Sequence, residues 1–196
     1  MMATTHGFAG VFLAAIVATV APEFAVPAFI GGLIGGLFPD VDIIARHRRT
    51  LHYPFYYTVI ALITGAIAVW YPHPMTVTIG SGTLAAALHS VSDIFGGGAS
   101  MRPWATRSRR AVYSHIHGTW LPPRGRIRYD GAPEDFILGI LLAIPSFLVF
   151  DTAIARGLIL TGVIASLFYT IFRKPLGRYF SASGGTGIHT CLTVGP

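Results

Sequence analysis

Charged residues are scarce in this sequence. Lysine, arginine, aspartate and glutamate together make up 11% of its 196 residues, whereas 53% are hydrophobic and the mean hydropathy is +0.61. Soluble domains usually carry about 25% charged residues. A chain with so few charges cannot cover a water-exposed surface with them. This excludes an ordinary soluble fold and favours a protein whose surface is largely solvated by lipid.

Cysteine and acidic residues are scarce as well. The single cysteine, Cys191, excludes a framework of disulfides within the chain. Eight acidic residues stand against 14 basic ones, which gives a formal net charge of +6. In a membrane protein, basic loops that lie against anionic lipid headgroups account for such an excess, so we expect no nucleic-acid partner. Residues 1–22 lack a basic stretch ahead of their apolar run, which argues against a cleaved signal peptide.

Apolar runs, by contrast, fill most of the chain. Counted with their flanks, six of them are long enough to predict an all-α bundle of six transmembrane helices. The runs are 8–20, 24–38, 54–71, 75–95, 136–150 and 157–172. We expect one transmembrane domain over residues 1–178, with loop 97–133 between its fourth and fifth helices. A flexible polar tail, 179–196, is expected to follow.

The distribution of basic residues supports six crossings. With the N-terminus in the cytoplasm, the cytoplasmic segments are 39–53, 97–133 and 173–196, and they hold 13 of the 14 lysine and arginine residues. Positive charge is the usual mark of cytoplasmic loops, and a wrong number of crossings would scramble it. We therefore expect a multi-pass protein of the cell membrane with both termini in the cytoplasm.

The polar residues of the membrane-level segments gather at this cytoplasmic face. Asp40 and Asp42 follow Pro39 at the end of the second helix, where a turn can direct both carboxylates to one point. His89 and Asp93 stand four residues apart on the fourth helix and hence on one face. Seven candidate metal ligands are expected at one depth: His6, Asp40, Asp42, His47, His52, His89 and Asp93.

Mixed imidazole and carboxylate ligands indicate the kind of metal. They suit zinc, manganese or iron, whereas magnesium and calcium prefer sites made only of oxygen. Seven candidates suffice for one or two divalent ions, of which zinc or manganese is expected. A buried aspartate in a membrane helix is functional by default. The structural alternative is that Asp93 pairs with Arg46 or Arg48 to hold the bundle together. His115 and His117 in the basic loop are second-tier candidates.

Two Gly-x-x-x-Gly pairs lie in the second apolar run. They are Gly31 with Gly35 and Gly32 with Gly36. In a membrane helix such pairs favour close contact with neighbouring helices rather than a phosphate-binding loop.

The motifs "PDVD", "HRRTLHYP" and "HSVSD", preceded by "TTHGFAG", resemble those of the membrane-bound metal-dependent hydrolases, also described as inner-membrane hydrolases under LexA control. The family pattern combines Thr-His, Pro-Asp-x-Asp, His-Arg-x-x-Thr-His and His-x-x-x-Asp, and the resemblance covers residues 1–105. Leu51 stands where the family has its penultimate threonine, and both histidines stay in register. The segment "RAVYSHIHGTWLPPRGRIRYDGAPEDF" is similar to haloarchaeal members. The resemblance implies metal-dependent hydrolysis.

Together these observations favour a metal-dependent hydrolase at the cytoplasmic membrane surface. Arginine binds phosphate through two N–H groups at once, so the arginines near the ligands favour a phosphoester of an anionic lipid or lipid-linked substrate. The candidate phosphate-binding residues are Arg46, Arg48, Arg49 and Arg102. Asp42 or Asp93 could act as the general base, and Arg48 would hold the charge of the substrate.

Two other functions remain open at this stage. An ion or metal transporter should carry polar residues through the membrane to the outer face, where this chain has few. In a non-enzymatic membrane protein, a metal would only clamp the helices together.

Overall fold

The structure is a computed structural model of the chain, and it describes residues 1–100, 102–106 and 108–182. This part of the chain contains six α-helices and one short β-hairpin. The helices are α1 (Ala3–Val20), α2 (Ala25–Leu37), α3 (Pro54–Trp70), α4 (Pro74–Ser92), α5 (Pro133–Val149) and α6 (Ala153–Ala182). Short 3-10 helices cover Pro22–Phe24, Phe38–Ile44 and Asp93–Phe95. The all-helical class predicted from the apolar runs is confirmed, with the hairpin as a local exception.

Proline begins three of the helices. Pro54, Pro74 and Pro133 occupy the first turns of α3, α4 and α5, where a missing N–H group leaves no hydrogen bond unmade. His73 caps α4, because its Nδ1 accepts the N–H of Met75. The boundaries of these helices therefore follow from local sequence.

Glycine lets α2 pack closely against two helices. A Cβ atom on Gly35 would lie 1.9 Å from the carbonyl oxygen of Gly82 in α4. A Cβ atom on Gly32, one member of the other pair, would lie 2.2 Å from the carbonyl oxygen of Gly10 in α1. One Gly-x-x-x-Gly pair thus faces α4 and the other faces α1. The close helix packing that these pairs predicted is confirmed.

The helices alternate in direction and bring one set of ends together. We call this set the site end and define it by residues 1–6, 38–54, 89–96 and 130–135. The backbone N–H of Met2 donates to Asp135 at the start of α5, 2.7 Å away. The guanidinium of Arg173 in α6 binds Asp130 through Nε at 2.9 Å. The N-terminus and the turn of α6 that carries Arg173 therefore lie near the beginning of α5.

The hairpin lies within the segment between α4 and α5. Its strands β1 (Val112–Ser114) and β2 (Thr119–Leu121) pair antiparallel, with Tyr113 opposite Trp120. The N–H of Tyr113 donates to the carbonyl oxygen of Arg48 at 3.0 Å, which joins the hairpin to the site end.

Three helical stretches are long and apolar enough to cross a membrane. They are Ala3–Val20, Pro22–Ile44 and Ala153–Phe180, while α3 is apolar but shorter. Large apolar side chains are exposed on α3, α5 and α6, and Trp70 is an example at 90%. Membrane association therefore agrees with the described structure.

The end of the last helix differs from the expected boundary. α6 continues through Pro175 to Ala182, so residues 179–182 of the predicted flexible tail are helical. Residues 183–196 of that tail lie outside the described part of the chain.

Candidate metal centre

Four side chains from three segments meet at one point of the site end. Asp40 comes from the 3-10 helix after α2, His52 precedes α3, His89 lies in α4 and Asp93 follows α4. Each offers one ligand atom, and these atoms all lie within 4.8 Å of one another. His89 Nε2 is 3.3 Å from Asp40 Oδ1, and His52 Nε2 is 3.4 Å from Asp93 Oδ2. We call this group the four-residue cluster.

Hydrogen bonds at Nδ1 orient the two histidines of the cluster. His89 Nδ1 lies 2.7 Å from the carbonyl oxygen of Gly36, and His52 Nδ1 lies 3.0 Å from Asp42 Oδ2. Both partners can only accept, so Nδ1 carries the hydrogen in each ring. Metal-binding histidines usually donate their second N–H in this way.

The inward-facing nitrogens fit a metal ion. Both Nε2 atoms are buried and have no hydrogen-bond partner among the described residues. A buried polar atom left without a partner is costly, typically by about 1–3 kcal/mol. Two such nitrogens beside two carboxylates form a nitrogen–oxygen donor set of the kind that zinc and manganese accept. The four-residue cluster could therefore hold a divalent metal.

The carboxylates of the cluster attract positive charge. Burial disfavours the protonated form of His52, but the hydrogen bond to Asp42 and the nearby charge of Asp93 outweigh it and raise the pKa of His52 to about 9. Burial opposes ionisation of Asp93 as well, yet Arg48 and the ammonium group of Met1 hold the pKa of Asp93 well below its usual range. That ammonium group donates to Asp93 Oδ1 at 2.7 Å. The surrounding charges therefore keep Asp93 ionised, which is the form that a metal ligand needs.

Asp40 and Asp42 do not converge as expected. The segment that carries them is a 3-10 helix rather than an open turn. With three residues per turn, side chains two positions apart point in different directions. Asp40 faces the cluster, whereas Asp42 faces the loop that leads to His52. The prediction that both carboxylates point to one site is wrong.

Asp42 and His47 lie beside the cluster. Asp42 Oδ1 accepts from His47 Nδ1 at 2.9 Å and from the N–H of Arg48 at 3.3 Å. Asp42 Oδ2 accepts from the N–H of Leu51 at 3.2 Å and from His52 Nδ1 at 3.0 Å. A carboxylate has about four lone-pair positions, and all of them are used here. Asp42 therefore has no free position for a metal or for a proton from water.

His6 also lies beside the cluster, but it is not one of the four residues whose ligand atoms come together. Its ring stacks on His89 with the centroids 3.7 Å apart. Its Nε2 lies 3.1 Å from Asp93 Oδ1, and its Nδ1 lies 3.3 Å from Ser92 Oγ. Both ring nitrogens thus have partners, and His6 packs against two members of the cluster.

Arg48 is the arginine that contacts the cluster. It is 5% exposed, and its Nε lies 3.4 Å from Asp93 Oδ2. This is the Arg48–Asp93 pair considered as a structural alternative from the sequence. Its Nε and Nη1 are nevertheless buried without a hydrogen-bond partner in the described chain. The positive φ of 62° at Arg48 is a left-handed conformation that is strained for this residue type.

The other predicted phosphate-binding arginines lie farther out. Arg46 and Arg102 are exposed, and the guanidinium of Arg49 covers the ring of Tyr113 at 4.2 Å. His115 stacks near Tyr53 with the centroids 4.4 Å apart, and His117 Nδ1 bonds Ser114 Oγ at 2.9 Å. His115 and His117 therefore belong to the hairpin and its contact with α3.

Sequence reasoning missed the role of Asp135. This buried carboxylate accepts the N–H of Met2 at 2.7 Å, the hydroxyl of Thr5 at 2.9 Å and the N–H of Gly131 at 3.1 Å. It thereby fixes the start of α1, from which His6 extends. The only available signal was an acidic residue in the first turn of α5, a position that acidic residues commonly occupy for the helix dipole alone.

Comparisons with protein-family models, with curated proteins and with solved structures find no match to this chain. The interpretation of the site therefore rests on its geometry and chemistry.

Proposed function

We propose that this protein is a membrane-embedded, metal-dependent hydrolase that acts on a phosphoester of a lipid or lipid-linked substrate. One observation carries the proposal: two buried, unpartnered Nε2 atoms face two carboxylates, with all four ligand atoms within 4.8 Å. Three motifs that resemble those of the membrane-bound metal-dependent hydrolases contain all four residues of the cluster and support the same function.

The membrane setting follows from the exposed apolar surface. We propose that all six helices cross the membrane, including α3 and α5, which have 17 residues each, and α4, which has 19 residues but is less apolar than α1. The site end would face the cytoplasm, because the basic segments lie there. A cluster at this end lies at the depth of lipid headgroups, where a phosphoester is within reach.

The ligand set fits a single divalent ion, zinc or manganese. An ion held by these residues would supply a Lewis acid that polarises a phosphoester and makes water more acidic. His52, His89 and Asp93 are fully buried, whereas the side chain of Asp40 is 19% exposed. The cluster therefore opens to its surroundings on the side of Asp40.

Arg48 and Asp40 have distinct roles in this proposal. The unpartnered N–H groups of Arg48 would bind a phosphate oxygen beside Asp93, since arginine forms charge-assisted hydrogen bonds with phosphate. Asp40 offers one oxygen to the ligand group and has a second, so its carboxylate is placed to take a proton from incoming water. This role passes to Asp40 because Asp42, considered as a base from the sequence, is saturated with donors.

Metal content and turnover of purified protein test the proposal together. The full chain in detergent micelles should bind about one zinc or manganese ion and hydrolyse a member of a panel of phospholipids and lipid phosphates. Asp93→Asn should lose both properties. Asp151→Asn, an exposed carboxylate at the opposite end, is the matched control and should retain both. A chain that binds no metal would contradict the proposal.

A structural metal clamp is the second candidate. It is favoured by the burial of three of the four ligands, because structural sites are closed by protein whereas catalytic sites keep a position open. A clamp would bind metal, show no turnover across the panel and unfold at a much lower temperature after chelation. Full metal content with lipid hydrolysis would exclude it.

A further inference from the structure

Asp42 organises the whole loop that carries two of the site residues. Between Ala45 and Tyr53 the chain forms no regular helix, and part of this loop folds around the Asp42 carboxylate. Four donors reach it: the rings of His47 and His52 and the backbone N–H groups of Arg48 and Leu51. We call residues 45–53 the ligand loop.

The contact with His52 determines which ring nitrogen faces the cluster. Because Asp42 Oδ2 holds Nδ1–H, Nε2 is the atom that remains for a metal. Without this acceptor, the ring of His52 would be free to rotate or to carry its hydrogen on Nε2. In either case the cluster would lose a ligand atom.

Asp42 also contacts Arg48, the residue that is proposed to bind the phosphate of the substrate. Asp42 Oδ1 accepts the backbone N–H of Arg48 at 3.3 Å, and the N–H of Tyr113 binds the carbonyl oxygen of the same residue at 3.0 Å. Both backbone groups of a residue with positive φ are thus held from outside. Strained conformations persist only where such surroundings determine them.

We propose that Asp42 is a positioning residue that fixes the metal-facing nitrogen of His52 and the backbone of Arg48 with one carboxylate. It therefore couples the metal ligands to the anion-binding arginine without touching either the metal or the substrate. This inference rests on the proposed function, because it takes His52 as a ligand.

The full chain in detergent micelles, loaded with zinc, provides the test. Asp42→Asn offers one oxygen where two were used and turns an NH2 group toward groups that are themselves donors. We expect zinc affinity to fall about 10- to 100-fold, the range typical for loss of a ligand's supporting partner. His47→Gln removes the outer partner of Asp42 and should change zinc affinity by less than about 3-fold. Asp40→Asn, a change in the cluster itself, should abolish stoichiometric binding.

Nitrogen–proton correlation spectra of the histidine rings supply a readout that general destabilisation would not reproduce. In the unaltered, zinc-loaded chain, His52 should show zinc on Nε2 and a retained hydrogen on Nδ1. In Asp42→Asn this pattern should be lost from His52 and kept in His89, whose Nδ1 binds the carbonyl oxygen of Gly36. If Asp42→Asn does not fold, the positions of zinc and hydrogen on the His52 ring of the unaltered chain still test the positioning role.

The outcomes separate this inference from the proposed function. Normal zinc affinity in Asp42→Asn, or zinc on Nδ1 of His52, overturns the positioning role and leaves the metal site standing. Loss of all zinc from Asp42→Asn, as in Asp40→Asn, would indicate that Asp42 binds the metal directly. That result would also overturn the positioning role. A wild-type chain that binds no zinc overturns both.

Discussion

The chemistry of single residues here depends on which polar atoms already have partners. Asp42 and His6 have the right side chains for a metal site, but hydrogen bonds occupy their oxygens and nitrogens. In His52 and His89, Nδ1 has a hydrogen-bond partner, whereas Nε2 has none among the described residues. Two histidines with free nitrogens and two carboxylates thus define the site within a larger polar group.

Arg48 is the residue whose substitution best separates substrate binding from metal binding. We expect Arg48→Ala to keep the metal and to lose most turnover of a lipid phosphoester. A charge-assisted contact is worth about 1.5–3 kcal/mol. Its loss in the transition state should slow hydrolysis about 10- to 150-fold. Steady-state kinetics and metal analysis of the same preparation measure the two effects.

Arg46→Ala is the matched control, because Arg46 is exposed two positions away. It should leave turnover within about 3-fold of the unaltered chain. Equal losses in the two variants would indicate a general effect of positive charge and contradict a specific contact at Arg48.

The raised pKa of His52 predicts how metal binding depends on pH. Without metal, Nε2 of His52 keeps its proton below a pKa of about 9. A metal must displace that proton, so apparent affinity should weaken by about tenfold for each pH unit below 9. Asp93 is already ionised and should release none. Titration calorimetry at pH 7 in buffers of different ionisation enthalpy should detect about one proton released per ion.

His117→Gln serves as the control for this measurement, since His117 is exposed on the hairpin. It should show the same proton release as the unaltered chain. Zinc affinity that is constant between pH 7 and pH 9 would contradict the assignment of Nε2 of His52 as a ligand.

The sequence predicted the residue types of the site better than their roles. The i, i+4 spacing of His89 and Asp93 places both on one face of a helix, and the structure agrees. The separation of Asp40 from Asp42 could not be predicted, because it depends on a 3-10 helix instead of a turn. The role of Asp42 depends on a loop closing around it, which spacing alone does not show.

At the scale of elements, the site depends on how closely α2 approaches its neighbours. Gly36 in α2 provides the carbonyl oxygen that orients His89 in α4. The same helix leads directly into the segment that carries Asp40. A change in the distance between α2 and α4 should therefore affect both packing and metal binding.

Gly35→Ala tests this dependence. Its Cβ would lie 1.9 Å from the carbonyl oxygen of Gly82, so the two helices must separate. Overpacking of this kind typically destabilises by about 1–3 kcal/mol. We expect a lower unfolding temperature in detergent micelles and weaker zinc binding. In Gly65→Ala the added Cβ meets nothing within 4 Å, and that control should be neutral or slightly stabilised. Equal stability of the two variants would show that close packing of α2 is unnecessary.

The elements that could be predicted are those with long apolar runs. All six α-helices were expected, because each contains a continuous apolar stretch. The extension of α6 to Ala182 was missed, because its last turns are polar and contain Pro175. The hairpin was missed as well, since strands of three residues are too short to show an alternating pattern.

At the scale of the whole molecule, the alternating helices collect the basic segments and the cluster at the same end. Met2 is tied to Asp135 and Arg173 to Asp130, so α1, α5 and α6 share this end with the ligand loop. The exposed acidic residues Glu23 and Asp151 lie in the turns at the opposite end. In the part of the chain that the structure describes, this asymmetry agrees with the proposed one-sided enzyme better than with a transporter, which needs polar residues across the membrane.

The orientation of the molecule decides which lipids can reach the cluster, and cysteine labelling in a Cys191→Ser background measures it. Arg126→Cys lies in the basic segment beside the site end, and Asp151→Cys lies in the turn between α5 and α6; both positions are exposed. Because positive charge is retained on the cytoplasmic side, a membrane-impermeant maleimide should label Asp151→Cys in intact cells. It should label Arg126→Cys only after the membrane is permeabilised. Labelling of Arg126→Cys from outside would place Asp40, the exposed edge of the cluster, on the exterior, where no cytoplasmic substrate could reach it.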